Sequence, residues 1–197
     1  MWRDGSLFLH VGITLTETLV SFALVVVIGL AVSLLLWLSD SVFQVLEPYL
    51  VILNSLPKSA LAPLLIVWLG ANSRTIIVAG MSVAIFGTIL NLYTGFTETS
   101  REKIRLIYTL HGTKKDALTK VVLPSTVPMI ISIMKVNIGL CLVGVVIGEF
   151  IGARNGLGYL IIYGSQVFQL DLVILFPKER ELAGKIADGF QVAVGQP

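Results

Sequence analysis

The sequence predicts an all-α, polytopic transmembrane helical bundle. Of the 197 residues, 55% are hydrophobic and 13% are charged, and the mean hydropathy is +0.90. Soluble domains carry about a quarter charged residues. Four apolar runs approach or exceed the roughly 20 residues that a membrane-spanning helix needs. These runs are Leu19 to Leu38, Tyr49 to Leu69, Thr75 to Phe96 and Val127 to Gly148.

The second run is predicted to be kinked or broken, because it contains or adjoins Pro48, Pro57 and Pro63. A proline in a spanning helix frees backbone carbonyls, which then need protein or water as partners. Pro57 is therefore a candidate residue of a translocation path. A kink without any function is the alternative interpretation.

Small residues recur at four-residue spacing in several of the runs. In lipid, such pairs allow helix backbones to approach one another closely. They predict close packing within the bundle or against a second subunit. The pairs are Gly80 with Ala84, Gly144 with Gly148, and Gly152 with Gly156.

The loop between the third and fourth runs is basic. Six of the 14 Lys and Arg residues lie between Thr97 and Pro124. Short basic loops stay on the cytoplasmic side. The third run is therefore expected to run inward and the fourth outward, which places Met1 outside. The N-terminus lacks the pattern of a secretory signal, so a further span is expected upstream.

The basic loop has the pattern of two short helices joined at a glycine. Thr99 and Glu102 form a capping box for the first helix, and Thr113 and Asp116 form one for the second. Gly112 lies between them and is predicted to take the left-handed conformation that ends a helix.

Pro124 is expected to stop the second helix of this loop. Two interpretations of the loop remain open. In one, it is an interfacial hairpin whose lysines meet lipid headgroups. In the other, it is a docking element for a cytoplasmic partner.

Polar residues near or inside the runs each have an expected environment. Lys135 and Asn137 fall within the fourth run, where they either face a cavity or, for Lys135, reach back to the headgroups. Both are candidates for a translocation path. Glu17 and Glu149 fall near outer ends of spans; they are expected to be solvated at the interface, and contact with a substrate-binding protein is the alternative interpretation.

Other residues predict packing and membrane anchoring rather than chemistry. Trp37 and Trp68 end the first two runs, as interfacial aromatic residues do, and Cys141 is expected to be a buried packing residue. His10 and His111 lack the spacing of a metal site. We expect no catalytic residue, cofactor, metal or nucleic-acid partner, and no G-x-x-x-x-G-K-[ST] phosphate loop is present.

Three stretches together resemble a known family. They are "NSLPKSALAPLLIVWLGANSRTIIV", "GTKKDALTKVVLPSTVPMIISIMKVNIGL" and "GVVIGEFIGARNGLGYLIIYGSQVFQLDLV". They resemble the binding-protein-dependent ABC importer permeases, in particular the nitrate/sulfonate/taurine group, over residues 10 to 173. The resemblance implies a MetI-like permease domain over residues 1–176, in which the loop 97–124 fits a groove on an ATPase subunit. The implied coupling residues are Tyr108, Thr109, Leu110, His111, Gly112, Thr113, Lys114 and Pro124.

The chain departs from the family pattern in two places. The family's usual Glu-Ala-Ala opening reads "RLIYTLHG" here, and Gly112 stands one residue nearer to Pro124 than the family's glycine does. The tip of the turn is therefore either His111 or Gly112. The tail 177–197 is polar where the family has a further span, so the chain is expected to hold four of about six spans.

The resemblance implies the permease subunit of an importer in a bacterial or archaeal plasma membrane. Its expected partners are an ABC ATPase, an extracytoplasmic substrate-binding protein, a second permease copy and membrane lipid. Nitrate, sulfonates, taurine, bicarbonate and vitamin precursors all remain candidate solutes. A stand-alone secondary carrier, with its binding site at the prolines of the second run, and a non-transporting membrane scaffold are the alternatives.

Overall fold

The computed structural model describes residues 6–166, and within that range the chain is helical with no strand. The polar tail 177–197 and the last residues of the predicted domain 1–176 lie outside the described residues. The helices are α1 (Ser6–Leu38), α2 (Asp40–Ser55), α3 (Lys58–Leu69), α4 (Ser73–Thr97), α5 (Arg101–Thr109), α6 (Lys114–Ala117), α7 (Leu123–Gly152) and α8 (Leu157–Gln166).

All four predicted apolar segments are helical. Leu7–Leu38, Ser73–Thr97 and Lys114–Gly152 are each long and apolar enough to cross a membrane, and the bent pair of α2 and α3 counts as a fourth span if it is taken as one. The predicted start of the first span at Leu19 is wrong. Helix α1 already includes Ser6, and polar side chains before Leu19, among them His10, Thr14 and Glu17, are buried in the bundle and do not mark an interface.

The predicted break in the second span is confirmed. Asp40–Ser55 and Ala60–Leu69 meet at an angle of 100°. Leu56, which precedes Pro57, has an extended backbone with ψ 141°. A residue before proline is disfavoured in the helical conformation, because the proline ring clashes with its backbone. Pro48 and Pro63 lie inside α2 and α3 and do not end those helices.

Helix α4 lies at the centre of the bundle and packs against α1, α2, α3 and α7. Two serines of α1 donate hydrogen bonds to α4 carbonyls: Ser21 to Ile77 (3.0 Å) and Ser33 to Ile89 (3.3 Å). On the other side, a Cβ added to Gly144 would lie 2.8 Å from the Cα of Gly80. The predicted close helix packing through small residues is therefore confirmed between α4 and α7.

The apolar core consists of two clusters along α4. One surrounds Cys141, which is fully buried as predicted. The other lies at the C-terminal ends of α1 and α4 and includes Trp37, Leu92 and Phe96. Trp37 is only 7% exposed, so its predicted interfacial position is wrong, because the hairpin that follows α4 packs over it. Trp68 is 80% exposed, and its interfacial role stays a prediction.

Candidate functional site

The basic loop folds into a hairpin of two short helices, α5 and α6, joined by residues 110–113. His111 is the residue with a left-handed backbone, at φ 58°, so the prediction that Gly112 takes this conformation is wrong. Gly112 is needed for a different reason. Its N–H donates to the Ile107 carbonyl (2.9 Å), and an added Cβ would lie 2.5 Å from Cγ2 of Ile107. The glycine allows the turn to close against α5.

The two predicted capping boxes have opposite outcomes. The Thr99 box is wrong: α5 begins at Arg101, and Ser100 before it makes no side-chain cap. Thr99 is instead buried, with 9% exposure. The second box is confirmed. Thr113 Oγ1 accepts from the Asp116 N–H (3.3 Å), and Asp116 Oδ2 accepts from the Thr113 N–H (2.9 Å).

The second arm of the hairpin is continuous with the α7 span. The prediction that Pro124 stops this helix is wrong, since Lys114–Gly152 runs as one helical stretch of 39 residues. A π-helical turn, Leu118–Val122, lies directly before the proline. In it, the Leu123 N–H reaches back five residues to the Leu118 carbonyl. The wider turn accommodates a residue that lacks an N–H and whose ring would crowd an ordinary helical turn.

The hairpin is attached to the bundle by apolar packing. Ala117, Leu118 and Val122 are buried against Trp37 and the end of α4. Ile104 and Ile107 of α5 pack against the edge of the same cluster. This contact fixes the hairpin to the C-terminal ends of α1 and α4.

A polar contact adds to this attachment. Lys114 Nζ lies 3.5 Å from Asp40 Oδ2 and 5.4 Å from the centroid of the Trp37 ring. Trp37 is in the last turn of α1 and Asp40 is the first residue of α2. These three residues, which we call the junction cluster, connect the start of α6 to the joint between α1 and α2.

The tip of the hairpin remains uncovered. Leu106, Tyr108 and Leu110 are 60%, 47% and 70% exposed, and Thr109, His111 and Thr113 are also exposed. Gly112 and Lys114 are half-buried, and Pro124 is exposed beyond the π turn. Large apolar side chains beside charged ones on a protruding helix are typical of a binding surface.

The structure places the three predicted path residues in different surroundings. Pro57 is exposed at the break between α2 and α3, and Lys135 is exposed on α7. Asn137 is buried and donates a hydrogen bond from Nδ2 to Thr88 Oγ1 of α4 (2.9 Å). Its observed role is to join α7 to α4.

Two acids at the opposite end of the bundle are not at an interface. Glu149 is fully buried and Glu17 is 5% exposed, so the expectation that water solvates them is wrong. Glu149 Oε1 accepts from the Thr14 hydroxyl (2.7 Å), and Oε2 accepts from the Gly158 N–H (2.8 Å). Protein donors here replace the water that was expected.

The link between α7 and α8 completes this arrangement. The Gly156 N–H donates to His10 Nδ1 and the Leu157 N–H to Thr14 Oγ1, each at 2.9 Å. Gly156 has φ 104°, and an added Cβ on Gly158 would lie 2.4 Å from the Val146 carbonyl oxygen. We call the whole set the carboxylate cluster: His10, Thr14, Glu17, Glu149 and residues 156–158.

Sequence reasoning missed the carboxylate cluster, although one signal was available. Thr14 and Glu17 are separated by three residues, so they share a face of α1, and Glu149 is followed by two closely spaced glycines. Among the described residues, no group of three or more His, Cys, Asp or Glu could hold a metal ion.

The comparisons with known proteins agree with this architecture. Residues 7–187 match the family model for the binding-protein-dependent transport system inner membrane component. The chain belongs to this family. A crystal structure of inward-facing conformations of the MetNI methionine ABC transporter has the same fold. The TM-score is 0.73 and the sequence identity 20%, and the match covers 98% of each chain. The predicted all-α membrane-permease fold is therefore confirmed, and the family is one of transport components rather than enzymes.

Two relatives lie closer in sequence. The formylaminopyrimidine transport permease protein ThiX of Halalkalibacterium halodurans is 31% identical over 79% of this chain and 62% of that protein. A probable ABC transporter permease protein of Haemophilus influenzae is 33% identical over 85% of this chain and 68% of that protein. The chain thus spans about two thirds of the length of these relatives.

Proposed function

We propose that this chain is the permease subunit of an ABC importer and that the hairpin 97–124 couples it to a separate ATPase subunit. The observation that carries the proposal is the continuity of the hairpin with the α7 span. A force applied to the exposed tip reaches the bundle through a rigid helix. The chain has no phosphate loop of its own, so ATP hydrolysis belongs to the partner.

The proposed orientation places the hairpin in the cytoplasm of a bacterium or archaeon and the carboxylate cluster near the outer surface. The start of α1 lies against the end of α7, and the end of α1 lies against the start of α6. The two helices are therefore antiparallel, as the inward first span and outward last span require. The basic residues of the hairpin support the cytoplasmic side.

The proposed path for solute lies between two copies of the permease, with an extracytoplasmic binding protein that delivers the solute. Exposed apolar faces on α1 and α7 provide surfaces for lipid and for the second copy. Pro57 and Lys135 are exposed and can line such a path, whereas Asn137 acts by holding α7 to α4. A vitamin precursor or a small anion is the proposed class of solute. Formylaminopyrimidine, named for one relative, belongs to the first class.

The coupling role is tested by replacing Tyr108 and Leu110 with alanine in the full-length protein, co-expressed with its ATPase. We expect the variant to insert into the membrane but to lose co-purification of the ATPase. Leu64 and Val67, which are 62% and 88% exposed on α3, provide a matched double alanine control. Equal ATPase recovery from both variants would show that the hairpin tip is not the docking surface.

The orientation is tested by cysteines at Lys103 and at Trp68 in a Cys141→Ser background. Lys103 lies on the hairpin and Trp68 near the far end of α3. A membrane-impermeant thiol reagent added to intact cells should label only the Trp68 position. Labelling of the Lys103 position from outside would contradict the cytoplasmic hairpin.

The break between α2 and α3 supports a second candidate, a secondary carrier with its binding site at Pro57. Such a carrier would take up solute on an ion gradient without any ATPase. Uptake by the full-length protein after its ATPase gene is deleted would favour this candidate, and loss of uptake would exclude it.

A further inference from the structure

A groove runs between the starts of α1 and α4, at the end of the bundle opposite the hairpin. It has a volume of about 510 Å³ and mostly apolar walls. Phe8 and Leu9 of α1 line it and are 72% and 60% exposed, and Ile13 and Ile77 line it as well. Such walls favour the apolar part of a ligand over water.

Glu17 forms the acidic part of this groove. Its side chain is only 5% exposed, and its Oε2 has no hydrogen-bond partner among residues 6–166. The ion pairs within that range join other residues, and Arg74 at the start of α4 is exposed and does not pair with this acid. A buried carboxylate oxygen without a donor is costly. A ligand in the groove can supply the missing donor.

The groups beside Glu17 indicate the chemistry of this donor. Thr16 and Ser73 line the groove, and their hydroxyl oxygens can accept hydrogen bonds, while the Thr16 hydroxyl itself donates to the Gly12 carbonyl (2.7 Å). A primary ammonium brings a positive charge and three N–H donors, whereas a carboxylate brings only acceptors. The terminal bond of a glutamate side chain has a broad range of angles, so either carboxylate oxygen can turn toward an ammonium in the groove.

The depth of the groove places it at the level of lipid headgroups. At 1.5 Å per residue, Glu17 lies about 32 Å along α1 from Leu38, close to the roughly 30 Å thickness of a hydrocarbon core. Asp40 and its partner Lys114 carry charges that mark the edge of that core beside Leu38. The groove therefore opens at the opposite edge, where the headgroups of the other leaflet begin.

The exposed side of α1 provides a surface for acyl chains. Leu9, Val20 and Val27 recur at intervals that place them on one face of the helix, and they are 60%, 40% and 65% exposed. Leu9 belongs to the groove, so this apolar face continues from the groove along α1 toward the hairpin end. A lipid whose headgroup occupies the groove can therefore lay its chains on this face.

We propose that this groove binds a phospholipid whose headgroup ends in a primary ammonium, with the ammonium on Glu17 and the acyl chains along the exposed face of α1. Phosphatidylethanolamine has this chemistry, and the exposed Arg74, which follows Ser73, suits its phosphate. The bound lipid joins the start of α1 to the start of α4. The proposal does not depend on the proposed transport function.

The first test is native mass spectrometry of the full-length protein, titrated with phosphatidylethanolamine, phosphatidylcholine and phosphatidylglycerol of the same acyl chains. The second lipid has a quaternary ammonium without an N–H donor, and the third has no ammonium. The wild type should bind the first about tenfold more tightly than either of the others, because charge-assisted hydrogen bonds are strong. Equal binding of all three lipids would overturn the proposal.

The second test fills the groove. Gly12 lines it, and a Cβ added there would meet nothing within 4 Å, so Gly12→Leu occupies the groove without displacing a neighbour. Gly139→Leu is the matched control, because its Cβ would also meet nothing within 4 Å. Both variants should melt like the wild type in lipid-free detergent. Added phosphatidylethanolamine should raise the melting temperature of Gly139→Leu but not of Gly12→Leu, and an equal rise in both would contradict the proposed site.

The third test changes the acid. Glu17→Gln keeps the shape of the side chain, removes its charge and should lose the preference for phosphatidylethanolamine, whereas Glu47→Gln, which alters an exposed acid on α2, should keep it. A preference that persists in Glu17→Gln rules the ammonium contact out. Equal competition by free ethanolamine would assign the groove to soluble amines instead. Loss of ATPase stimulation by loaded binding protein in Gly12→Leu, with lipid binding intact, would assign it to that protein.

Discussion

The two ends of the bundle handle polar groups in opposite ways. At the hairpin end, the charges are on the surface: Asp40 is 72% exposed at its side chain, and the tip offers uncovered apolar residues to the surroundings. At the other end, Glu17 and Glu149 are buried, and both oxygens of Glu149 depend on protein donors. Exposed polar contacts exchange with water at little cost, whereas buried ones are expensive to break. The first end is suited to being moved or covered, and the second to holding helices together.

The largest effect is expected from Gly158→Ala in the carboxylate cluster. The new Cβ would lie 2.4 Å from the Val146 carbonyl oxygen and 2.7 Å from Cβ of Glu149, so the start of α8 must move and the bond to Glu149 is lost. We expect a loss of about 3 kcal/mol or more, because a buried carboxylate then lacks a donor. Melting temperature in detergent measures it. Gly139→Ala is the matched control, since its Cβ would meet nothing within 4 Å.

A smaller and more local effect is expected from Gly112→Val at the hairpin. The side chain would press on Ile107 and its carbonyl oxygen, so the turn must open and α6 is misdirected. We expect a cost of about 1–3 kcal/mol, confined to the hairpin, and loss of ATPase co-purification with normal insertion. Gly139→Val controls for valine in place of glycine. A drop in melting temperature as large as that of Gly158→Ala would contradict the contrast between the two ends.

The observed N-cap positions of the two hairpin helices, Ser100 and Thr113, provide a smaller comparison. Thr113→Ala removes the cap that Thr113 and Asp116 form together at the start of α6. The loss of such a cap typically lowers the free energy of unfolding by about 1 kcal/mol. Ser100→Ala removes a hydroxyl that makes no cap and should change nothing measurable. Amide hydrogen exchange over α6 and α5 measures both. Equal loss of protection in the two variants would mean that the observed cap at Thr113 has no special role.

The smallest change in stability is expected at the junction cluster. An exposed ion pair contributes no more than about 1 kcal/mol, so Lys114→Glu should barely shift the melting temperature. It should nevertheless loosen the hairpin from the joint between α1 and α2, because the introduced carboxylate would repel Asp40 and could not stack on Trp37. Stimulation of the ATPase by loaded binding protein is the sensitive measurement. Adding Asp40→Lys to Lys114→Glu restores the ion pair with reversed charges and should recover part of the stimulation. Lys115→Glu is the control: adding Asp40→Lys to it should recover nothing, because Lys114 and not Lys115 pairs with Asp40.

The sequence predicted those features that depend on residues close to one another along the chain. Apolar runs, the break at Pro57 and the capping box at Thr113 follow from local composition and spacing, and all three are present. Glu149 is buried with a donor from a residue far along the chain, the Thr14 hydroxyl, and Glu17 is buried by helices that pack around the start of α1. No local pattern reports such a partner. Hydropathy therefore placed both acids in water.

In the hairpin, a contact between residues only a few positions apart also escaped prediction from the sequence. Glycine is the residue that most readily takes a left-handed backbone, so Gly112 was the natural prediction for the turn. In the structure, His111 takes that conformation, and Gly112 lies one position later, where its backbone meets Ile107 and leaves no room for a Cβ. Similarly, proline usually ends a helix, and only the π turn before Pro124 shows why this one does not.

The π turn also sets an angle. Successive residues of an α-helix are turned by about 100° around its axis, and this turn contains one residue more than an ordinary turn would. The extra residue therefore sets the direction around the helix axis in which the hairpin projects from the α7 span. A single deletion among residues 118–122 would leave composition and hydropathy almost unchanged. It would nevertheless rotate the exposed tip by about 100° around the helix axis, so that the tip would no longer face the binding surface of its partner.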